Sequence, residues 1–297
     1  MYAPESLERA ILHTLAYADV FDYPLTANEI HHYLTGLAAP VECVDATLRA
    51  SGLWNSVDGF YSLRGREALG DLRRKRAGVA RRLWPQAVRY GRLLASLPFV
   101  RMVAVTGSLA VNNAEEWNDI DYLLVTAPGR LWTARALALL VTRLAGLQRV
   151  RICPNYLVTD TNLELSDHSL YVARELAQMI PLAGLPVYER MRRLNSWTDE
   201  YLPNARGMLH LPPGVRPARS RPVAQHLLEA LMNIPPAHWF EAWEMRRKIE
   251  RLSREQAGSP EAWFSPDQCK GHGSRHGQRA ERAFRAKLEE LSLEILA

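Results

Sequence analysis

Residues 106–121 read Thr-Gly-Ser-Leu-Ala-Val-Asn-Asn-Ala-Glu-Glu-Trp-Asn-Asp-Ile-Asp, between two apolar runs, Val100–Val105 and Tyr122–Val125. Short apolar runs joined through a glycine turn confine the chain to a pair of buried strands. Side chains alternate along a strand, so Asp119 and Asp121 share a face while Ile120 enters the core. Two carboxylates on one face repel, and a cation between them relieves the repulsion. Mg²⁺ takes one or two carboxylates and leaves its other positions to water and phosphate oxygens. Gly107 lets the backbone approach a ligand, and the Ser108 hydroxyl with nearby backbone N–H groups can hold phosphate oxygens. A phosphate cradle, a spacer and a carboxylate pair are the equipment of metal-dependent phosphoryl or nucleotidyl transfer.

Apolar-Gly-Ser, a ten-residue spacer and Asp-apolar-Asp-apolar together resemble the signature of the DNA polymerase β-type nucleotidyltransferase superfamily, across residues 100–158. The leading helical module and trailing helices look like bacterial nucleotidyltransferase-domain proteins. Thr106 departs from the pattern, which usually has an apolar residue there. The resemblance implies Mg²⁺ (Mn²⁺ as an alternative) held by Asp119 and Asp121. It also implies a nucleoside triphosphate with its phosphates at Gly107 and Ser108, and a hydroxyl or similar acceptor. The acceptor class stays open among a small molecule, a protein and a nucleic acid.

Such enzymes usually carry a third carboxylate on a later strand, where this chain has Asn155. An amide can ligate a metal or contact a nucleotide through its oxygen, but it cannot accept a proton at neutral pH. Similarity to antibiotic-modifying nucleotidyltransferases, with a catalytic glutamate on a helix after the core, favours Glu175 as general base. Asp160, just past the strand, is the alternative; a third option has no base, with metal and positioning supplying catalysis. Residues 265–276 mix small residues with Lys, Arg and His and read as a loop, either solvent-facing or a basic clamp on triphosphate or acceptor, with Lys270 assigned to nucleotide binding. Cys269, His272 and His276 have zinc-like spacing, but only three ligands are evident.

The expected class is α+β and mostly helical, with a small mixed sheet flanked by helices. Residues 1–63 form the first unit. Helical spacing covers Glu5–Tyr17, Thr26-Ala27-Asn28-Glu29 is a capping box, and a third helix covers Val41–Ala50. Asp58-Gly59 between apolar residues signals a hairpin, so the unit resembles a winged helix. Its third helix carries Glu42 and Asp45 against Arg49, which disfavours DNA reading. Residues 64–98 are a helical connector that Pro85 is expected to break; its Arg73-Arg74-Lys75-Arg76 run is a solvated face or a polyanion stripe. Residues 99–160 hold the catalytic sheet, with Pro154 marking an edge strand or a bulge. Residues 161–297 read as helical throughout, with a linker over 207–222.

The chain has 297 residues, 47% of them hydrophobic, a net charge of +5 and three scattered cysteines. That composition excludes a disordered or disulfide-scaffolded chain. The charge favours anionic partners, and the cysteines suit a reducing cytoplasm. The start shows no secretory leader pattern, and no apolar run is long enough to span a bilayer. The competing expectation is a catalytically degenerate nucleotide sensor or a DNA- or protein-binding regulator.

Overall fold

The computed structural model describes residues 4–207, 211–218, 223–257, 259, 261–271 and 276–296. The chain opens with α1 (Pro4–Asp19), α2 (Ala27–His32) and α3 (Val41–Ala50), then a hairpin of β1 (Trp54–Val57) and β2 (Phe60–Leu63). Thr26 and Glu29 close the capping box on α2. Asp58 and Gly59 take φ of 52° and 79°, the left-handed backbone that a two-residue hairpin turn needs. Ile11, Leu15, Ile30, Leu34 and Val44 bury a small core between these elements.

The connector is one helix, α4 (Leu69–Ala95), which runs unbroken through Pro85. Proline removes one helical hydrogen bond. Buried Val79, Ala80 and Trp84 on one side of it and Ala87, Tyr90 and Leu94 on the other hold both halves against the sheet. Within the basic run on α4, Arg73 and Arg76 turn inward and Arg74 pairs at the surface. Arg73 pairs with Glu29 at 2.7 Å, Arg74 with Asp58 and Asp71, Arg76 with Glu115, and Arg82 with Glu116. Arg73 also donates to the Val111 carbonyl at 3.2 Å, and its guanidinium lies 3.8 Å from the centre of the Tyr23 ring. The Tyr23 hydroxyl sits 2.8 Å from Glu29 Oε1 and 2.7 Å from the Val111 carbonyl. Asn113 Nδ2 donates to the Phe21 carbonyl at 3.2 Å. The first unit is thereby fastened to the segment that follows Gly107-Ser108.

The sheet then forms around β3 (Val100–Val105), a one-turn helix α5 (Gly107–Ala110), β4 (Ile120–Thr126), α6 (Leu131–Leu147) and β5 (Ile152–Thr159). Next come α7 (Leu170–Gln178), β6 (Ile180–Ala183), α8 (Leu185–Leu194) and α9 (Thr198–Tyr201), then a 3-10 turn over Pro203–Ala205. The chain ends with α10 (Val223–Leu231), α11 (Pro235–Glu255), β7 (Trp263–Phe264), β8 (Gln268–Lys270) and α12 (His276–Leu296). The sheet order is β6-β3-β4-β5-β8-β7, and within it only the β4–β5 pair is parallel.

With 55% helix and 15% strand, this is a mixed α+β chain whose small sheet is covered by helices. Residues 161–297 are not helical throughout: they supply β6, β7 and β8. Those strands are two to four residues long, too short to show a period of two. The sheet therefore extends past residue 160. α8 and α9 are separated at fully buried Asn195, whose amide bonds the backbone of Leu163 and Leu165. Of the expected linker, 208–210 and 219–222 lie outside the described residues. Val215 is buried, and Ala218 bridges Ala183 of β6. None of the described helices is long and apolar enough to cross a membrane.

Alternation divides the core. Val103, Val105, Ile120, Tyr122 and Leu124 pack on the α4 and α6 side. Met102, Ala104, Leu123 and Val125 meet Leu176, Met179, Tyr188 and Met191 of α7 and α8. Gly91 of α4 rides directly on the first face: a Cβ there would lie 2.2 Å from Leu182 Cδ1 and 3.3 Å from Tyr122 Cε1. Alanine normally favours a helix interior by up to about 1 kcal/mol over glycine. Gly91→Ala is expected to reverse that sign and destabilise by about 1–2 kcal/mol through overpacking. Urea unfolding with an unchanged m-value checks it.

Candidate functional site

β4 carries the register that matters. Ile120 is buried in the α4 and α6 core, so Asp121 faces the α7 side together with Leu123. Asp119 immediately precedes the strand. Gly107 ends β3 with φ of 65°, and a Cβ there would lie 2.8 Å from Asp121 Oδ2. Any side chain at 107 would both strain the backbone and strike the carboxylate. The Thr106 N–H donates to the Asp121 carbonyl at 3.0 Å and locks the turn to β4.

A bulge on β5 supplies the next group. Tyr122 pairs with Pro154 and Leu123 with Tyr156, leaving Asn155 as the extra residue. The bulge, not an edge position, accommodates Pro154, because β5 lies between β4 and β8. It also aims the Asn155 side chain at Asp121, with which it hydrogen-bonds. From the opposite wall, α7 presents Glu175. The Gly107 backbone N–H donates to the Glu175 carboxylate, and Gln178 Nε2 donates to its Oε1.

The electrostatics follow from this crowding. Burial, then the neighbouring Asp119 charge, push the Asp121 carboxyl up to about 7, against the Asn155 hydrogen bond. Burial, then Asp121, push Glu175 up to about 7, against the Gly107 N–H and the Lys270 charge. Burial and the same two aspartates push the Cys153 thiol up to about 12, so it is a neutral wall and no nucleophile. Asp119 is held by Arg151, Nε to Oδ1 at 2.7 Å, while Arg151 Nη1 donates to the Trp117 carbonyl at 2.9 Å. The Ser108 hydroxyl accepts from Asn118 Nδ2 at 2.9 Å.

These groups line a single cleft of about 650 Å³ that contains Gly107, Ser108, Asp119, Asp121, Asn155, Glu175 and Lys270. Asp160 is not among its lining residues; its N–H bonds Thr126 and its carbonyl accepts from Arg190. The stretch expected as a basic loop contains β8 instead, which pairs with β5 and carries Lys270 opposite Tyr156. Cys269 is buried in the sheet, and His272 lies outside the described residues.

Several cleft residues were not visible as such in the sequence. Arg151 is one; its place beside Asp119 follows only from the β4–β5 pairing. Tyr17, Phe21, Tyr23 and Tyr33 of the first unit form an aromatic wall of the cleft, and Arg174 lies beside it. Tyr17 and Tyr33 have the apolar spacing of ordinary helix-core positions, so local pattern gives no signal of the cleft.

The donor set facing the cleft comprises Asp119, Asp121 and Glu175 carboxylates with the Asn155 amide, all hard oxygen donors near the Asp121 crowding. This composition fits a hard divalent cation that keeps several waters. Among the described residues no group of three or more His, Cys, Asp or Glu side chains is arranged as a metal cage. The two aspartates with Asn155 are the residues that would hold such an ion. Comparison with known proteins finds no matching family model, no similar curated protein and no similar solved structure.

Proposed function

We propose that this chain is a Mg²⁺-dependent nucleotidyltransferase that moves a nucleoside monophosphate from a nucleoside triphosphate to an acceptor and releases pyrophosphate. One observation carries the reading: Glu175 on α7 and Asp121 on β4 meet behind Gly107, both carboxyls pushed up to about 7. A carboxylate with that proton affinity can accept a proton at neutral pH, which the Asn155 position cannot.

Asp119 and Asp121, with Asn155 beside Asp121, would hold the ion. Bound Mg²⁺ supplies charge neutralisation at the reacting phosphate and the departing oxygen. Gly107, Ser108 and Lys270 line the cleft beside Asp121 and take the triphosphate. Glu175 takes the acceptor proton as the acceptor oxygen bonds to the α-phosphorus. The bond from that phosphorus to the bridging oxygen breaks, and its electrons leave with pyrophosphate.

We read the three helices and the hairpin of residues 1–63 as a winged-helix-like unit. Its aromatic residues facing the cleft support a role in building the site, while the acidic character of α3 argues against reading DNA. The Asp119–Arg151 pair favours a second reading, a nucleotide sensor without turnover, because an ion must displace an arginine to bind.

Incubation with α-labelled triphosphates, Mg²⁺ and an acceptor panel decides between them. Label transfer that disappears with Asp119→Asn and Asp121→Asn supports the enzyme. Tight triphosphate binding without transfer to any acceptor supports the sensor. Absence of triphosphate binding, or transfer indifferent to both substitutions, refutes the reading.

A further inference from the structure

Arg174 precedes Glu175 by one residue along α7 and lies at a different wall of the cleft. Its side chain lies at the seam with the first unit, 4.7 Å from the Tyr17 ring centre and 4.6 Å from that of Tyr33. The residue is 5% exposed, and it lines the same cleft. Its Nε and Nη2 have no hydrogen-bond partner, and no carboxylate among the described residues forms an ion pair with it. Contrast Arg73, equally buried, which is neutralised by Glu29.

A guanidinium cannot shed its proton to escape burial. Two aromatic faces offset part of the cost, and leave the N–H groups in their plane unused. Those N–H groups form a planar fork whose geometry suits the two oxygens of a carboxylate or phosphate. A protein keeps an unpaired buried charge at the expense of stability where a ligand completes it.

We propose that Arg174, held between Tyr17 and Tyr33, anchors a subsite for a carboxylate or phosphate group of the second substrate. The neighbour relation on α7 assigns it to that molecule. Glu175 faces the reacting centre, so a group gripped by Arg174 belongs to the molecule whose proton Glu175 takes. The assignment to the acceptor rests on the nucleotidyltransferase reading; the anion site itself does not. The first unit then contributes to acceptor choice, through two rings that hold the arginine in place.

Thermal unfolding of the full chain without Mg²⁺ tests this, with inorganic phosphate or citrate against sodium chloride at matched ionic strength. Phosphate, citrate or both should raise the Tm of the natural chain above the chloride value, and which one does so separates the two chemistries. Arg174→Met should weaken that response about tenfold or more. In chloride it should melt at or above the natural Tm, because an unpaired charge has been removed. Arg174→Lys should retain part of the response, and Ser108→Ala should retain the Arg174-dependent part. A response unchanged in Arg174→Met overturns the proposal, as does the absence of any anion effect on the natural chain. A fall in Tm for Arg174→Met that Arg174→Lys repairs, with no anion effect in either, also overturns it and assigns the residue to packing. An Arg174-dependent phosphate response alongside no response to ATP with Mg²⁺ supports the anion site and removes the nucleotide reading.

Discussion

Asp121→Asn is expected to lower nucleotidyl transfer by about a thousandfold or more while leaving the chain better folded. The change keeps the shape of the side chain and the space beneath Gly107, but removes a ligand charge. An ion that supplies several kcal/mol of stabilisation to the reacting phosphate loses its grip, and about 4 kcal/mol corresponds to a thousandfold. The same substitution removes a carboxyl that burial and Asp119 hold at about 7. Stability near pH 8 should therefore rise, by on the order of 2 kcal/mol. A dead, stabilised variant is the signature of a residue kept for chemistry. A dead, unfolded one would place Asp121 in the architecture instead. Label transfer and urea unfolding on the same preparation give both numbers.

The second large effect is a stability that depends on pH and on Mg²⁺. Asp121 and Glu175 have ordinary values of 3.8 and 4.5, and folding raises both to about 7. Between those limits the folded chain binds more protons than the unfolded one, so the contribution is most favourable below about pH 4 and declines as pH rises to about 7. The decline should be on the order of several kcal/mol for the pair. The difference between the natural chain and Asp121→Asn across the range is the measurement. Mg²⁺ binds the ionised carboxylates, so it should restore stability near pH 8, by about 2.7 kcal/mol at a hundredfold excess over its dissociation constant. It should do nothing for the variant. A natural chain whose pH profile parallels that of Asp121→Asn, with or without Mg²⁺, would contradict this account.

The legible part of the sequence was local. The capping box at Thr26 and Glu29, the Asp58-Gly59 turn and the apolar runs around Ile120 each specify their own few residues. Alternation alone places Ile120 inward and Asp121 outward. Glu175 was reached through a resemblance, and the structure places it in the cleft beside Asp121. What was not legible depends on distant pairing. The two-residue β7 and three-residue β8 exist because β5 offers them a partner, so Lys270 arrives on a strand and not in a loop. Pro85 carries the sequence mark of a helix break, yet packing on both sides overrides it. Arg73 and Arg76 of α4 looked like a surface feature because their partners, Glu29 and Glu115, lie 39 or more positions away. Arg174 showed nothing, since its meaning is the absence of a partner and only three dimensions reveal that.

The contacts that fasten Val111 and Asn113 to the first unit, and Glu115 to α4, give the ten residues between Ser108 and Asp119 the character of a ruler. Loops usually tolerate insertion because their ends are fixed and their middles are free. Here the middle is fixed too. A residue added between 111 and 115 must either break the Tyr23, Phe21 and Arg76 contacts or carry the error forward to Asp119. The spacing from glycine to carboxylate is thus set by a neighbouring unit as much as by the strands it joins. A change in the length of this loop therefore calls for a matching change in the contacts with that unit.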